Sequence, residues 1–176
     1  MTKRYAFLPL IFGALCAQAQ APIELRDYNG DLVNGQLVVF TGDANESVFE
    51  KGVTATLSSG PMRVINVRRY EVDVQPNTQN YFCWGVCYGP QDAGSLPVWS
   101  AFGQHALELE PGVAVTNFKA YHSPFGLVGN STYRYVWFDT AQPTDSVWCD
   151  IQFRAIDNVG VDELRPAATL GVFPNP

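Results

Sequence analysis

Residues 146–156, SVWCDIQFRAI, can be assigned to a strand residue by residue. Its alternate positions are apolar, namely Val147, Cys149, Ile151 and Phe153. The positions between them carry one aromatic and three polar or charged side chains, Trp148, Asp150, Gln152 and Arg154. An alternation with a period of two is typical of a β-strand that is buried on one face. We therefore predict a strand over 146–156 whose first set of side chains belongs to a core.

The preceding run, STYRYVWFD at 131–139, is aromatic on both of its faces. One face carries Tyr133, Tyr135 and Trp137, and the other carries Arg134, Val136 and Phe138. Either both faces are covered, or one aromatic row is exposed for binding. Burial under loops or a neighbouring sheet is the commoner case.

Further runs with strand-like composition lie earlier in the chain, at Gln36–Thr41, Val53–Leu57, Val64–Val74, Gln79–Cys83, His105–Leu109 and Val113–Tyr121. Clusters of Gly, Pro, Asn and Asp separate these runs and mark turns. Evenly spaced short strands with such turns predict an all-β, antiparallel immunoglobulin-like β-sandwich of about 7 to 9 strands.

The N-terminus has the pattern of a secretory signal. Lys3 and Arg4 precede an apolar run from Tyr5 to Leu15, and a small-residue stretch ends at Ala19. This pattern predicts a signal peptide over 1–19, since the run is shorter than the roughly 20 residues of a membrane span. A retained anchor and a lipid-modified Cys16 are the alternatives. We assign 20–156 to one β-sandwich domain, with no membrane span in the mature chain.

The charge of the chain argues against nucleic acid as a partner. The 176 residues carry a formal charge of −6, and removal of Lys3 and Arg4 leaves 9 basic against 17 acidic residues, or −8. An acidic surface repels phosphate. The one basic cluster, Arg63 with Arg68 and Arg69, lies in a strand-like run, where we expect solvated charges.

The cysteines predict one disulfide in the mature chain. In an exported protein, Cys83 and Cys87 are most simply paired across a tight loop. A redox pair and a zinc site are the alternatives, but the spacing fits neither. Cys149 is left over and is interpreted as a small buried hydrophobe.

Residues with catalytic or metal-binding chemistry are few. His105 alternates with leucines and is expected to be half-buried and structural. His122 has a serine neighbour, but the sequence lacks a G-x-S-x-G elbow. The segment 43–47 resembles a calcium loop faintly and is better interpreted as a polar turn. We predict no catalytic residue, no metal site and no cofactor.

Three segments carry a family resemblance: NYFCWGVCYGP at 80–90, FKAYHSPFGLVG at 118–129 with Tyr133-Arg-Tyr135 following, and VFPNP at 172–176. Together they resemble exported Bacteroidetes proteins, in which an immunoglobulin-like module precedes the C-terminal (type A) sorting domain of the type IX secretion system. The resemblance implies that 157–169 is a linker and that 170–176 begins a truncated sorting domain, with Pro174, Asn175 and Pro176 as its motif. It also implies the secretion and sorting machinery as partner.

Two tripeptides, Asp139-Thr-Ala141 and Asp145-Ser-Val147, resemble the O-glycosylation acceptor pattern of these bacteria. Thr140 and Ser146 are therefore the candidate glycosylation sites. Both lie at the turn before the last strand.

The sequence thus predicts a secreted or cell-surface, non-catalytic interaction or adhesion module that reaches its location by way of the periplasm. Its ligand would be a glycan or a protein, bound by loops. The candidate contact residues are Trp84, Tyr88, Trp99, Tyr121 and His122. The alternatives are an extracellular hydrolase that uses surface carboxylates and a purely structural spacer.

Overall fold

The computed structural model describes residues 22–157, and these form two β-sheets that pack face to face. Short 3₁₀ geometry occurs at Gly103–His105. The strands are β1 (Ile23–Arg26), β2 (Leu37–Asp43), β3 (Phe49–Leu57), β4 (Arg63–Asp73), β5 (Gln79–Trp84), β6 (Val86–Cys87), β7 (Gln91–Asp92), β8 (Val98–Ser100), β9 (Leu107–Leu109), β10 (Ala114–Ser123), β11 (Gly129–Asp139) and β12 (Ser146–Ile156). The predicted signal peptide, the linker beyond Asp157 and the motif Pro174, Asn175, Pro176 lie outside the described residues.

The strand order is that of an immunoglobulin-like sandwich. Sheet 1 has the order β1-β3-β10-β5-β6, with β7 beside β5, and sheet 2 has the order β2-β12-β11-β4-β8, with β9 beside β4. If the strands of four or more residues other than β2 are lettered A to G, the sheets contain A-B-E-D and G-F-C, which is the immunoglobulin arrangement. The predicted fold class is confirmed.

One strand pair departs from the antiparallel prediction. Strand β2 runs parallel to β12, with Val38 opposite Ile151 and Phe40 opposite Phe153. The chain leaves sheet 1 after β1 and joins sheet 2 as β2. Asn34 holds this crossing, because its side chain accepts from the Leu25 amide at 2.6 Å and donates to the Ile23 carbonyl at 2.8 Å.

The alternation in the last two strands places the core as predicted. Val147, Cys149, Ile151 and Phe153 are buried, and so are Tyr133, Tyr135 and Trp137 of β11. The other face of β11 is half-buried, so its aromatic row is neither in the core nor fully exposed. All eight predicted runs overlap a strand, whereas β1, β6, β7 and β8 were not predicted. His105 lies in the 3₁₀ turn rather than in a strand.

The expectation that all three clustered arginines are solvated is wrong for Arg69. Its side chain is buried between the sheets and donates to Asn80 Oδ1 at 2.9 Å and to Glu71 Oε1 at 3.0 Å. The guanidinium also lies over the rings of Trp99 and Tyr133, each at 5.4 Å. Period two explains this, because Arg69 shares the inner face of β4 with the buried Val67.

Among residues 22–157, no helix is long and apolar enough to cross a membrane. The Cys83–Cys87 disulfide is formed and joins β5 to β6. Cys149 is a buried free thiol whose pKa is raised by that burial, as expected for a small core residue.

Candidate functional site

Trp84 was predicted to contact a ligand, and the structure corrects this. Its side chain is fully buried, and the indole N–H donates to the Ile65 carbonyl oxygen of the opposite sheet at 3.0 Å. Trp84 occupies the inner face of β5 together with Phe82, so it spans the interior instead of pointing to solvent. A ligand at the surface cannot reach it.

His122 is the second correction. Only 2% of it is exposed, and its ring stacks on Phe153 at 5.3 Å between centroids and 13° between planes. Burial lowers the pKa of the imidazole from 6.5 to about 4, although a hydrogen bond with the Gln79 backbone opposes this effect. The neutral ring is therefore a packing element of the core, and it contacts Phe49 and Tyr133 as well.

Tyr88 and Trp99 are in contact at the surface, where an edge of sheet 1 meets an edge of sheet 2. Tyr88 follows β6 at the edge of sheet 1, and Trp99 belongs to β8 at the edge of sheet 2. Their ring centroids are 5.4 Å apart at 66°, and both side chains are half-buried against the core. Phe102 and His105 complete a group that we call the edge cluster: Tyr88, Trp99, Phe102 and His105.

The Tyr88 hydroxyl fixes the geometry of the edge cluster. It accepts a hydrogen bond from the Phe102 amide at 2.9 Å and lies 2.8 Å from His105 Nδ1. Burial raises the pKa of this phenol, and the Phe102 amide opposes the shift. The two bonds hold both ends of the turn between β8 and β9. Phe102, 60% exposed, is thereby presented to solvent from a fixed backbone.

Tyr121 lies elsewhere, on the outer face of sheet 1. Its ring is parallel to that of Tyr81 on the neighbouring strand, with centroids 4.5 Å apart and 7° between planes. Burial, and then the neighbouring carboxylate of Glu50, raise the pKa of Tyr121. The five residues proposed from sequence therefore separate into two in the core, two in the edge cluster and one on a sheet face.

Two acidic residues that converge, Asp139 and Asp145, do not form a free catalytic pair. Asp139 and Asp145 share Arg63, whose Nη1 lies 3.2 Å from Asp139 Oδ2 and also contacts Asp145. Each carboxylate is therefore engaged by the same guanidinium group. Among residues 22–157, no group of three or more His, Cys, Asp or Glu side chains could hold a metal ion.

The candidate glycosylation residues lie beside this ion pair. Thr140 is exposed, and its hydroxyl donates to the Val64 carbonyl at 3.1 Å. Ser146 begins β12 and is half-buried.

Phe102 and His105 were not among the predicted contacts. Phe102 sits in a connection between two short strands, and a single apolar residue in a Gly-containing loop gives no periodic signal. The one sequence signal for this cluster is that Phe102 lies three residues before His105 in the same turn.

No protein-family model matches the chain, and no curated protein matches it in sequence. Among solved structures it is similar to the N-terminal domain of PorA, with 14% identity and a TM-score of 0.56 over 77% of this chain and 98% of that one. It is also similar to a PapD-like domain of human CEP192, with 10% identity, a TM-score of 0.41 and coverage of 88% and 99%. A conjugative transposon lipoprotein from Bacteroides eggerthii matches at 9% identity and a TM-score of 0.35, covering 75% and 96%. The likeness to the PorA domain supports the fold and only the fold.

Proposed function

We propose that this protein is an exported, non-catalytic interaction module and that the edge cluster is its contact surface for another protein. The observation that carries the proposal is Phe102, which is 60% exposed although the Tyr88 hydroxyl holds its backbone amide and its ring lies against Tyr88 and His105. A preorganised aromatic anchor loses little conformational entropy on binding. Such anchors dominate the energetics of protein interfaces.

The surroundings of Phe102 have the composition of an interface centre. Its ring lies 5.6 Å from that of Tyr88 and 5.8 Å from that of His105, and Val86 and Val98 are exposed on the edge strands β6 and β8. Aromatic residues are enriched at the centres of interfaces, where charged residues are scarce. A partner that covers Phe102 would exclude water from an already apolar surface.

The route of export is proposed together with the function. We infer secretion through the type IX system and display at the cell surface, supported by the resemblance of 172–176 to the start of a sorting domain. The Cys83–Cys87 disulfide fits an oxidising compartment. Fractionation of a Bacteroidetes host with and without a working type IX translocon tests this. Equal amounts outside both cells would contradict it.

Binding is tested with the mature chain and its Phe102→Ser variant on immobilised fibronectin, laminin and collagen. Phe125→Ser is the matched control, because Phe125 is 59% exposed on a different loop. Loss of a central anchor costs about 2 kcal/mol or more, which is roughly a 30-fold weaker affinity. Phe125→Ser should change affinity by less than about 3-fold.

Both variants should keep the melting temperature of the parent, because each removed side chain is exposed. Equal effects of the two substitutions would overturn the assignment of the edge cluster. Absence of binding to all three proteins would favour a structural spacer.

A further inference from the structure

A second surface, on the outer face of sheet 1, is organised around Tyr28. The phenol end of this residue rests directly on Gly52 of β3. A Cβ atom at position 52 would lie 1.8 Å from the Tyr28 hydroxyl oxygen and 2.2 Å from Cζ. Only glycine allows this contact, and so the ring rests against the sheet while 58% of the residue stays exposed.

The turn that carries Tyr28 is fixed by Asp27. One carboxylate oxygen accepts from the Asn29 amide at 2.9 Å and from the Asp31 amide at 3.1 Å. The other carboxylate oxygen lies 3.9 Å from Lys51 Nζ on β3, in a largely buried pair. The turn of Tyr28 is therefore fixed by hydrogen bonds, and its ring packs on the backbone of Gly52.

The neighbouring positions on this face carry polar groups and further tyrosines. Lys119 stands directly opposite Gly52, and Tyr121 stands opposite both Glu50 and Tyr81. Lys119 Nζ lies 2.6 Å from Glu50 Oε1, and both side chains are about two-fifths exposed. We call this group the tyrosine face: Tyr28, Glu50, Tyr81, Lys119 and Tyr121.

The tyrosine face has the size of a small ligand. It spans three strands, or about 10 Å, in one direction and two residues along a strand, or about 7 Å, in the other. Tyr81 and Tyr121 stack on each other. Each therefore has one ring face covered by its partner and contributes mainly its edge and hydroxyl, whereas Tyr28 contributes an exposed ring.

We propose that the tyrosine face binds a neutral saccharide. A pyranose has an apolar side of C–H groups that packs on an aromatic ring, and hydroxyl groups at its rim that donate and accept hydrogen bonds. Tyr28 supplies the ring, and Glu50, Lys119 and the tyrosine hydroxyls supply donors and acceptors. Ligand sites characteristically combine an apolar surface with a few placed polar groups in this way.

The charges of the tyrosine face and of the whole chain favour a neutral saccharide over other ligands. Lys119 and Glu50 cancel locally, and the chain as a whole carries −6, which disfavours anionic polymers. An apolar protein surface would strip water from the ion pair without replacing its hydrogen bonds, at a cost of desolvation. A polyol can replace that water. This site is distinct from the edge cluster, and the saccharide proposal does not rest on the proposed protein contact.

The test is calorimetric titration of the mature chain with linear hexaoses of glucose, mannose and xylose. We expect saturable binding of at least one of them with a Kd of about 1 mM or tighter, as is usual for one stacked ring and a few hydrogen bonds. Tyr28→Ala should weaken binding by about 10-fold or more, because the stacking ring is lost. Tyr28→Phe keeps the ring and should bind within about 3-fold of the parent.

Three further variants make the test specific. Gly52→Ala keeps Tyr28 but drives its ring off the sheet, and it should weaken binding about as much as Tyr28→Ala. Tyr70→Ala removes a half-buried tyrosine from the outer face of sheet 2 and should leave affinity unchanged. Thermal melting followed by circular dichroism verifies that each variant is folded. Phe102→Ser should also leave saccharide affinity unchanged.

Three outcomes would overturn the proposal: no saturable binding of any hexaose by the parent, equal affinity of the parent and Tyr28→Ala, or binding of polygalacturonate and dextran sulfate in place of the neutral sugars. None of them bears on the edge cluster, whose test uses different probes and a different variant.

Discussion

Protonation of His122 should destabilise this protein below neutral pH. The imidazole is buried against Phe153 and Phe49, and its Nδ1 has no hydrogen-bond partner within the described structure. Burial lowers its pKa from 6.5 to about 4. Between these values the unfolded chain binds a proton that the folded chain does not bind. The contribution of neutral His122 to the unfolding free energy is therefore fully present above the pKa of the unfolded chain. It is lost as the pH falls toward the pKa of the folded chain.

The size of the effect follows from the two pKa values. A depression from 6.5 to about 4 corresponds to a loss of roughly 3 kcal/mol once the pH is below both. Between about pH 7 and pH 5, linkage gives a loss of about 2 kcal/mol. This is a large share of the roughly 5–15 kcal/mol that stabilises a typical domain.

Urea unfolding of the parent and of His122→Phe at several pH values isolates this contribution. Phenylalanine keeps the aromatic packing but cannot take up a proton, and titration of the carboxylates is common to both proteins. Between pH 7 and about pH 5, the unfolding free energy of the parent should fall by about 2 kcal/mol more than that of His122→Phe. The chain has only two histidines, and His105→Gln, measured in the same way, separates the contribution of the second imidazole. A difference between parent and His122→Phe that stays constant over this range would refute the reasoning.

Three further predictions concern the stability of the fold. Trp84→Ala should lower the unfolding free energy by about 3–5 kcal/mol in urea titration, since it opens a cavity between the sheets. Arg69→Ala should cost a similar amount, about 3–5 kcal/mol, because it leaves Glu71 as an unpaired and nearly buried charge; the double variant with Glu71→Gln should recover part of that loss. Reduction of Cys83–Cys87 should cost at most about 2 kcal/mol and lower the melting temperature by roughly 4–8 °C in calorimetry, because the closed loop is short.

Much of the fold could be predicted because the alternation of side chains is a local property. Strand β12 was predicted with its exact bounds, and its inner face agrees residue by residue. The short strands β6, β7 and β8 could not be predicted in this way, because two or three residues are too few for a period to show. The parallel pairing of β2 depends on where the chain crosses between sheets, and Asn34 makes that crossing through contacts nine and eleven residues away.

The errors at the candidate site have a common physical origin. Trp84 and His122 were predicted as contacts because their segments were assigned to loops, and loops were expected to bind the ligand. Both sit at strand ends, where the inner face continues up to the turn: Trp84 is the last residue of β5, and His122 is the last but one of β10. A residue beside a turn is exposed only if its position in the alternation also points outward, as that of Tyr121 does.

The alternation of side chains alone does not predict the two surface sites, because each site depends on a contact between distant parts of the chain. Phe102 is held by Tyr88, fourteen residues before it, and Tyr28 rests on Gly52 of another strand. In both cases the position of an exposed aromatic residue depends on a group that its own segment does not contain. In sequence, the residues after Tyr28 indicate only a polar turn, and Gly52 is a residue with low strand propensity within a strand. Their contact sets where the ring lies, and Gly52→Ala is therefore the substitution that separates the presence of Tyr28 from its placement.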